Sequence, residues 1–350
     1  MTQQMVIDAA ESQFQKFPGT RYMGSKNRII FKIWDVLRGY HFESFLDVFA
    51  GSNVVSYFMK SHGKRVITND FMTFSYLMSK AIIENNDITV SDDELMFLLE
   101  NENQNSYVST TFDGLYFSDT DNKSIDRIRA NASLLDSEIK QAIAVSALVR
   151  ACIKRRPRGV FTYTGQRYDD GRKDIRRSIV DHFKESLLLI NNAVFYSSAN
   201  CIALNSQASE INCSADMVYI DPPYFSKHSD NDYVRRYHFV EGLALNWEGL
   251  SIQNNTKTKK FRSYNSPYSN RSCASLALDS LVRRYKESII AISYSSNSYP
   301  DKAELLEIIS RHKNKASVHE FDHTYSFGNQ NHMIGNFNNK VKEYLFIGED

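Results

Sequence analysis

The feature that most constrains the fold of this 350-residue chain is an apolar run that breaks at a glycine and is followed by a second run ending in an acid. A buried strand and a tight turn are predicted by residues 45–52, FLDVFAGS. A helix is predicted over 53–60 and a second strand over 65–70, ending in Asp70. This strand-turn-helix-strand order is typical of the first half of a doubly wound α/β sheet.

The rest of the sequence extends the same pattern. Further strands are predicted over 193–196, 217–220, 289–293, 317–321 and 343–347. Mainly helical structure is predicted over 71–153, and separate helices over 274–286 and 302–312. A hairpin-like loop is predicted over 156–172, and a long surface loop over 251–275. The expected fold is therefore a mostly parallel, doubly wound sheet with a hairpin at its C-terminal end.

Composition excludes several classes of protein. With 42% hydrophobic residues, the chain can bury a full α/β core and carry a smaller appended region. Its four cysteines, Cys152, Cys201, Cys213 and Cys273, form no CxxC pair, so neither a disulfide framework nor a zinc ribbon is predicted. The N-terminus lacks the pattern of a signal peptide, and no apolar run approaches membrane-spanning length. We expect a soluble, cytoplasmic protein.

The formal net charge of +1 indicates that any nucleic-acid site is a local patch. Residues 150–177 form such a patch, because arginines and lysines alternate there with aromatic residues. Arginine and lysine suit phosphates, and the paired donors of arginine suit guanine edges. DNA contacts are predicted for Arg155, Arg156, Arg158, Tyr163, Arg167 and Tyr168. A solvated basic face is the alternative, in which case the loop 257–271 is the expected DNA-reading surface.

A second constraint is Asp221-Pro222-Pro223-Tyr224, which directly follows the predicted strand 217–220. A strand ending in this way places a carboxylate, a rigid carbonyl and an aromatic ring at the carboxyl edge of the sheet, where doubly wound folds bind ligands. The Asp221 carboxylate and the Pro222 carbonyl suit the two N–H groups of an aromatic amine, and Tyr224 suits stacking on its ring. Alternatively, the prolines end a strand and Asp221 caps the next element.

Gly51 stands where the backbone must pass close to a ligand. A dinucleotide site would need GxGxxG, so an NAD enzyme is disfavoured. A single glycine instead suits a nucleoside without phosphates, such as S-adenosylmethionine. Asp70 at the end of the second strand suits both ribose hydroxyls, with a turn-forming aspartate as the alternative.

The order of these motifs resembles that of a known family. RYMGSK (residues 21–26), DVFAGS, Asp70 and IDPPY are similar to the motifs of alpha-class, Dam-like adenine-N6 DNA methyltransferases, including those of restriction-modification systems. The resemblance implies a Rossmann-like doubly wound mixed sheet of the S-adenosylmethionine-dependent methyltransferase type, with an inserted, mainly helical target-recognition region. It also implies a division into an N-terminal extension (1–19), a catalytic domain (20–85 and 190–350) and the inserted DNA-binding region (86–189).

The resemblance implies roles for individual residues. The expected S-adenosylmethionine site comprises Tyr22, Gly24, Lys26, Asp47, Phe49, Ala50, Gly51, Asp70, Asn200 and Asp221. Asn200 stands where the family usually has Asp after the third strand, and its side-chain oxygen still accepts a hydrogen bond from the cofactor's adenine. Thr162 stands where the family's DNA-contacting hairpin commonly has Asn. Tyr233, Tyr237, His238 and Glu241 are similar to the helix entry that follows the catalytic motif in some members, or are core and capping positions.

We therefore predict methyl transfer from S-adenosylmethionine to N6 of an adenine flipped out of double-stranded DNA, with Asp221, Pro222, Pro223 and Tyr224 as the catalytic motif. No metal ion or membrane is expected, and the implied partners are DNA and a cognate restriction endonuclease that acts separately. One alternative is an N4-cytosine methyltransferase, which more often has Ser before Pro-Pro-Tyr. Another is a nucleic-acid-binding module that has kept the fold and lost catalysis.

Overall fold

The computed structural model describes residues 3–165, 171–225, 232–324 and 340–350. The strands are β1 Ser44–Asp47, β2 Arg65–Asn69, β3 Ile202–Leu204, β4 Met217–Ile220, β5 Ile289–Ser295, β6 Lys315–Thr324 and β7 Lys340–Glu349. They form a seven-stranded sheet in the order β3-β2-β1-β4-β5-β7-β6. The strand order therefore reverses between β1 and β4, which makes that pair the switch point at which doubly wound sheets bind ligands.

The pairing of the strands is mixed. β1 runs parallel to β4, β2 to β3, and β4 to β5. β7 runs antiparallel to both β5 and β6. The predicted doubly wound mixed sheet is therefore confirmed, including its antiparallel C-terminal pair.

Helices occupy most of the predicted helical positions. They are α1 Gln3–Phe14, α2 Ile30–Leu37, α3 Val54–Ser61, α4 Thr73–Ser79, α5 Asp92–Glu100, α6 Tyr107–Thr111, α7 Asp119–Ala132, α8 Glu138–Arg155, α9 Ile179–Ala193, α10 Tyr233–Ala244, α11 Arg271–Arg284 and α12 Lys302–Ser310. Several begin at a side chain that accepts a backbone N–H, as at Ser91, Ser118, Ser178 and Asp301. None of the described helices has the length and apolar character needed to cross a membrane.

The strand predicted over 193–196 is wrong. Residue 193 is the last residue of α9, whose buried face includes Phe183, Leu187 and Ile190. The apolar residues that follow continue this packing, since the ring of Phe195 meets Tyr57 edge-on at 5.6 Å. A short apolar run does not distinguish a strand from the end of a buried helix. The third strand of the sheet is instead β3.

Two predicted loops also differ from the structure. In the loop predicted over 156–172, Pro157–Gly159 forms a 3-10 turn and 160–165 is irregular, without strand pairing in the described part; residues 166–170 lie outside it. The predicted surface loop 251–275 contains the bridge between Ile252 and Phe261 and a 3-10 turn at Pro267–Ser269 before α11 begins, and it buries Phe261 and Tyr268. Aromatic residues within these polar sequences therefore anchor both segments.

The chain divides into two compact units. Unit 1 comprises Met1–Ser25, Ala50–Asn205 and Tyr233–Tyr264. It contains β2, β3, α1 and α3–α10, and α8 packs against α9 and α4 at its core. Unit 2 comprises Lys26–Phe49, Ser206–Asp232 and Asn265–Asp350 and contains the other strands with α2, α11 and α12. The division into a catalytic domain and an inserted recognition region stays a prediction.

Candidate active site

In unit 2, the carboxyl ends of β1 and β4 place two acids at one edge of the sheet. β1 ends at Asp47, which stands opposite Tyr219 of β4, and Asp221 follows β4 directly. Asp47 is buried, whereas Asp221 is half-buried. Because both strands are parallel and lie at the switch point, the Asp-Pro-Pro-Tyr motif stands where a doubly wound sheet binds its ligand.

The Lys26 ammonium contacts both oxygens of the Asp221 carboxylate. Its Nζ lies 2.8 Å from Oδ1 and 2.7 Å from Oδ2 of Asp221, and Lys26 itself is buried. Burial raises the pKa of Asp221 to about 6, Lys26 opposes that rise, and Glu343 of β7 adds to it. The sequence assigned Lys26 to the cofactor alone, but its contact in the structure is with the catalytic motif.

Tyr224 is held by the end of β5. Its ring packs against Tyr294 with the centroids 5.3 Å apart. The Tyr294 hydroxyl donates to the carbonyl of Tyr299 at 2.6 Å, and the Tyr299 N–H donates to the carbonyl of Phe225 at 3.0 Å. The loop that carries the catalytic motif is therefore fixed by backbone and ring contacts to the segment after β5.

The other motif residues of unit 2 pack around this edge. Pro222 is buried and Pro223 is half-buried, as expected for a rigid turn that ends a strand. Phe49 meets Tyr268 edge-on, with the ring centroids 5.0 Å apart. Phe49 thus keeps a half-buried aromatic surface beside β1.

In unit 1, Gly51 and Asp70 form a tight backbone-to-carboxylate turn. The Gly51 N–H donates to Oδ2 of Asp70 at 2.8 Å, and the Met72 N–H donates to Oδ1 at 2.8 Å. The buried Ala50 donates its N–H to the carbonyl of Asn69, the last residue of β2, at 2.8 Å. Gly51 has φ +49°, and a Cβ there would lie 3.0 Å from Cε1 of Tyr22. The predicted need for glycine at this turn therefore has a conformational and a steric cause.

Asp70 is a buried carboxylate whose charge is only partly compensated. Burial raises its pKa to about 7, the N–H groups of Met72 and Gly51 oppose the rise, and Glu241 adds to it. A carboxylate at a strand end with this environment is well suited to hydroxyl donors from a ribose. The residues present thus fit a nucleoside such as S-adenosylmethionine.

Helix α10 supports the N-terminal glycine motif, a role that sequence reasoning missed. The ring of Tyr22 stacks on Tyr237, with centroids 5.3 Å apart and an interplanar angle of 6°. Met23 donates its N–H to the Tyr237 hydroxyl at 2.9 Å, and the Tyr233 hydroxyl donates to the Met23 carbonyl at 3.1 Å. A Cβ at Gly24, where φ is +79°, would lie 3.0 Å from the Tyr233 hydroxyl.

The same face of α10 supports the turn after β2. Glu241 is fully buried, and its carboxylate accepts the N–H groups of Thr73 at 2.9 Å and Phe74 at 3.1 Å at the start of α4. Tyr233, Tyr237 and Glu241 follow one another at i, i+4 and i+8, which places them on one side of the helix. That spacing was the sequence signal for their shared role.

Asn200 does not follow the third strand, because that strand is β3 rather than 193–196. It is exposed and precedes β3. The residue at the carboxyl end of β3 is Asn205, whose side-chain amide donates to the backbone carbonyl of Asp70 at 2.7 Å. Parallel strands present their ligand-binding residues at their carboxyl ends, so Asn205 replaces Asn200 as our candidate contact to the cofactor's adenine.

Several cationic side chains of the basic segment 150–177 bind groups inside the protein. Arg156 is almost completely buried, and its guanidinium donates to the carbonyls of Tyr163 at 2.7 Å, Gly165 at 3.0 Å and Tyr116 at 3.3 Å. A buried charge needs such internal acceptors, and a guanidinium enclosed by them is withdrawn from a phosphate. The predicted DNA contact of Arg156 is therefore corrected to a structural one.

The other predicted DNA contacts divide into three groups. Arg155 hydrogen-bonds to the Ile175 carbonyl and pairs with Asp121 at 3.6 Å, which disfavours a phosphate contact for it as well.

The DNA contacts of Arg158 and Tyr163 stay predictions. Both residues are half-buried; Arg158 has φ +58°, and the Tyr163 hydroxyl donates to the Pro157 carbonyl at 2.5 Å. Arg167 and Tyr168 lie outside the described residues.

Replacing Arg156 with alanine is expected to lower the free energy of unfolding by about 3 kcal/mol, because several buried carbonyls lose their donor. Urea unfolding would measure this change. The exposed Lys184 on α9 gives a control, and K184A is expected to stay within about 0.5 kcal/mol of the parent protein. An unchanged unfolding curve for R156A would contradict the structural role.

Comparisons with known proteins show the family of the chain. The fold is that of an α/β methyltransferase, and the family model described as "D12 class N6 adenine-specific DNA methyltransferase" matches residues 22–308. The chain belongs to this family. Among the alternatives, the match confirms adenine N6 rather than cytosine N4 as the target and an enzyme rather than a binding module.

Several characterised proteins resemble the chain. The type II methyltransferase M2.HphI of Haemophilus parahaemolyticus is 27% identical over 352 residues, which cover 96% of this chain and 98% of that protein. The modification methylase StsI of Streptococcus sanguinis is 29% identical over 316 residues, covering 83% of this chain and 46% of that protein. The type II methyltransferase M.NlaIII of Neisseria lactamica is 23% identical over 285 residues, covering 76% of this chain and 79% of that protein.

Proposed function

We propose that this adenine-N6 DNA methyltransferase uses S-adenosylmethionine to methylate an adenine flipped out of a specific site in double-stranded DNA. The observation that carries the proposal is Asp221-Pro222-Pro223-Tyr224 at the carboxyl end of β4, with Lys26 bound to both carboxylate oxygens of Asp221. The type II relatives support a further step, in which the enzyme protects DNA in a restriction-modification system beside a separate cognate endonuclease.

Catalysis by these residues is chiefly positioning. The lone pair of the adenine N6 is delocalised into the ring, so the amine is a poor nucleophile. Asp221 and the Pro222 carbonyl accept its two N–H groups, which favours a more tetrahedral nitrogen, while Tyr224 stacks on the base. Lys26 keeps the Asp221 carboxylate ionised and oriented. When bound, S-adenosylmethionine supplies a methyl group on a positively charged sulfonium.

The cofactor is assigned to the glycine motifs and strand ends. Asp70 holds the ribose hydroxyls, and Gly51 lets the backbone pass close to the nucleoside. Tyr22 and Gly24 form the N-terminal part of the same site and are held by α10. Asp47 at the end of β1, with Phe49 and Ala50 after it, keeps its predicted role toward the cofactor. Residues 86–189 are assigned to target recognition, because the described part of this range is mainly helical and lies between β2 and β3.

The affinity for S-adenosylmethionine is expected to rise with pH through about 7, the pKa of Asp70. Ribose hydroxyls donate to the ionised carboxylate, so below this pH a proton must be lost on binding and affinity falls by about tenfold per pH unit. Glu241 and Tyr22 also face Asp70, and both have pKa values raised by burial. Calorimetry between pH 6 and 8 measures the effect.

The control for this prediction is Asp70→Asn, whose affinity should be weaker and nearly independent of pH. Proton release on binding, obtained by calorimetry in buffers of different ionisation enthalpy, should accompany the change in the parent protein. Affinity that is constant from pH 6 to pH 8 in the parent would contradict the assignment of Asp70 to the ribose.

The function itself is tested by transfer of tritiated methyl groups from S-adenosylmethionine, followed by nucleoside analysis of the product. N6-methyladenine in duplex DNA is the expected product, with little label in RNA. N4-methylcytosine, or cofactor binding without transfer, would overturn the proposal. Methylation-sensitive sequencing of DNA from expressing cells would then give the recognition site, and resistance of that DNA to a nuclease of the same specificity would test the protective role.

A further inference from the structure

The DNA substrate is a polyanion, yet several cations of the most basic stretch of the sequence, residues 150–177, bind groups inside the protein. Cations of residues 150–177 bound to internal carbonyls or acids are Arg150, Lys154, Arg155, Arg156 and Arg177. Lys173 and Arg176 are exposed, but the two residues between them, Asp174 and Ile175, are half-buried and buried, so they do not form a continuous exposed basic run. Exposed cations elsewhere in the described residues are therefore candidates for further phosphate contacts.

A second concentration of cations lies on the segment Ile252–Arg262, which we call the basic turn. Its cations are Lys257, Lys259, Lys260 and Arg262. Lys257 and Arg262 are exposed, and Lys259 and Lys260 are half-exposed. In the described part of the chain, none of the four has an acidic partner within ion-pair distance. The nearest acids along the sequence are Glu248 and Asp279, so the turn carries uncompensated positive charge.

The basic turn has a defined conformation. Ile252 and Phe261 pair in an antiparallel bridge, and the Gln253 N–H donates to the Lys260 carbonyl at 2.8 Å. The Lys259 N–H donates to the Thr256 carbonyl at 3.1 Å. Phe261 is buried, which anchors one end of the turn. Cations on an ordered turn lose less conformational entropy on binding than cations on a free chain.

The turn is also attached to the loop held by Arg156. The Tyr116 hydroxyl donates to the carbonyl of Thr258 at 2.7 Å, at the centre of the turn. The ring of the same tyrosine lies 5.1 Å from the Arg156 guanidinium. In unit 1, Tyr116 therefore links the buried Arg156 to the exposed basic turn. Arg156 stabilises the loop beneath, and the cations of the turn remain accessible to solvent.

We propose that the basic turn is a phosphate-binding surface for the DNA duplex. Lys257, Lys259, Lys260 and Arg262 contact phosphates without reading bases, and so help to position the duplex. The proposal rests on the DNA methyltransferase function. A duplex is the expected partner because double-stranded DNA is the proposed substrate. Since the chain has a net charge of only +1, binding this polyanion requires a local basic surface.

The test is a variant in which Lys257, Lys259, Lys260 and Arg262 are all replaced with glutamine. Dissociation constants for cognate and unrelated duplexes are measured at several salt concentrations. Each lost phosphate contact should flatten the plot of log affinity against log salt by about 0.9, so the slope should change by up to about 3.6. Both duplexes should weaken by a similar factor, which leaves the sequence preference unchanged.

A matched control removes three lysines and one arginine that are exposed elsewhere, Lys16, Lys32, Lys184 and Arg65, again as glutamines. This control should keep the slope of the parent protein. Cofactor affinity and urea unfolding confirm that each variant is folded. If the fourfold variant unfolds, the single variants K257Q and R262Q serve, with an expected flattening of about 0.9 each.

A parent protein that methylates DNA while the turn variants keep its salt slope would overturn the proposal and leave the enzymatic function intact. A parent protein that neither binds nor methylates duplex DNA would overturn the function and, with it, the assignment of the turn. Equal flattening in the matched control would also overturn the proposal, because the effect would then follow from total charge.

Discussion

Asp221→Ala is expected to lower kcat for DNA methylation by about 10²–10³-fold or more, because the target amine loses a charged acceptor placed where charge develops. S-adenosylmethionine affinity should stay within a few-fold, since Asp221 is assigned chiefly to the target base. Tritiated methyl transfer gives kcat, and calorimetry gives the affinity.

Removing Asp221 also leaves Lys26 as a buried charge without its carboxylate, so stability has to be separated from catalysis. Asp221→Asn keeps the volume and an acceptor but removes the charge, and a similar loss of turnover is expected. Asp279, an acid of unit 2 that pairs with Arg311, provides a matched control whose alanine variant should keep normal turnover. Near-normal kcat in folded D221N and D221A would show that the carboxylate does not hold the amine.

The sequence was sufficient to predict the strands that lie beside Asp47 and before Asp221. The apolar run that contains Asp47 is followed by Gly51, and the apolar strand before Asp221 is followed by Pro222 and Pro223, so each combines a burial signal with a turn signal. Both signals are local, so they need no knowledge of the tertiary structure. The positions of β1, β2 and β4 were predicted within a few residues for this reason.

Prediction from the sequence was wrong where the role of a residue depends on how the surrounding backbone folds. Arg156 has the composition of a phosphate-binding residue, and only the folded loop shows that carbonyls from Tyr116, Tyr163 and Gly165 enclose its guanidinium. Asn200 was misplaced because an apolar run was interpreted as a strand, which shifted the expected strand end. Asn205 became the candidate only when the register of β3 with β2 was known.

Lys26 shows how both kinds of information combine. Its sequence motif implied a cofactor contact, and the structure adds a contact of both carboxylate oxygens of Asp221 with one ammonium. The two roles predict different kinetics. A cofactor role governs the KM for S-adenosylmethionine, whereas the ion pair governs the pH at which Asp221 becomes an acceptor.

Lys26→Met is therefore expected to shift the acid limb of the kcat profile to higher pH. Lys26 lowers the pKa of Asp221, which is about 6 with the pair intact, and Glu343 pushes it upward. Loss of an adjacent opposite charge raises a carboxyl pKa by about 1–3 units, so more Asp221 is protonated at pH 7. A protonated carboxyl is a poorer acceptor for the amine, so kcat at pH 7 should fall by about 2-fold for a shift of one unit and about 90-fold for a shift of three units, and it should recover toward pH 9.

Lys26→Arg retains the positive charge and should keep the acid limb near that of the parent protein. Measuring kcat at saturating S-adenosylmethionine from pH 5.5 to 9 separates the shift from any change in cofactor KM. If K26M raised the KM while its acid limb stayed in place, Lys26 would act on the cofactor alone. Recovery of K26M at high pH, together with an unshifted K26R, would show that the lysine serves catalysis by keeping Asp221 ionised.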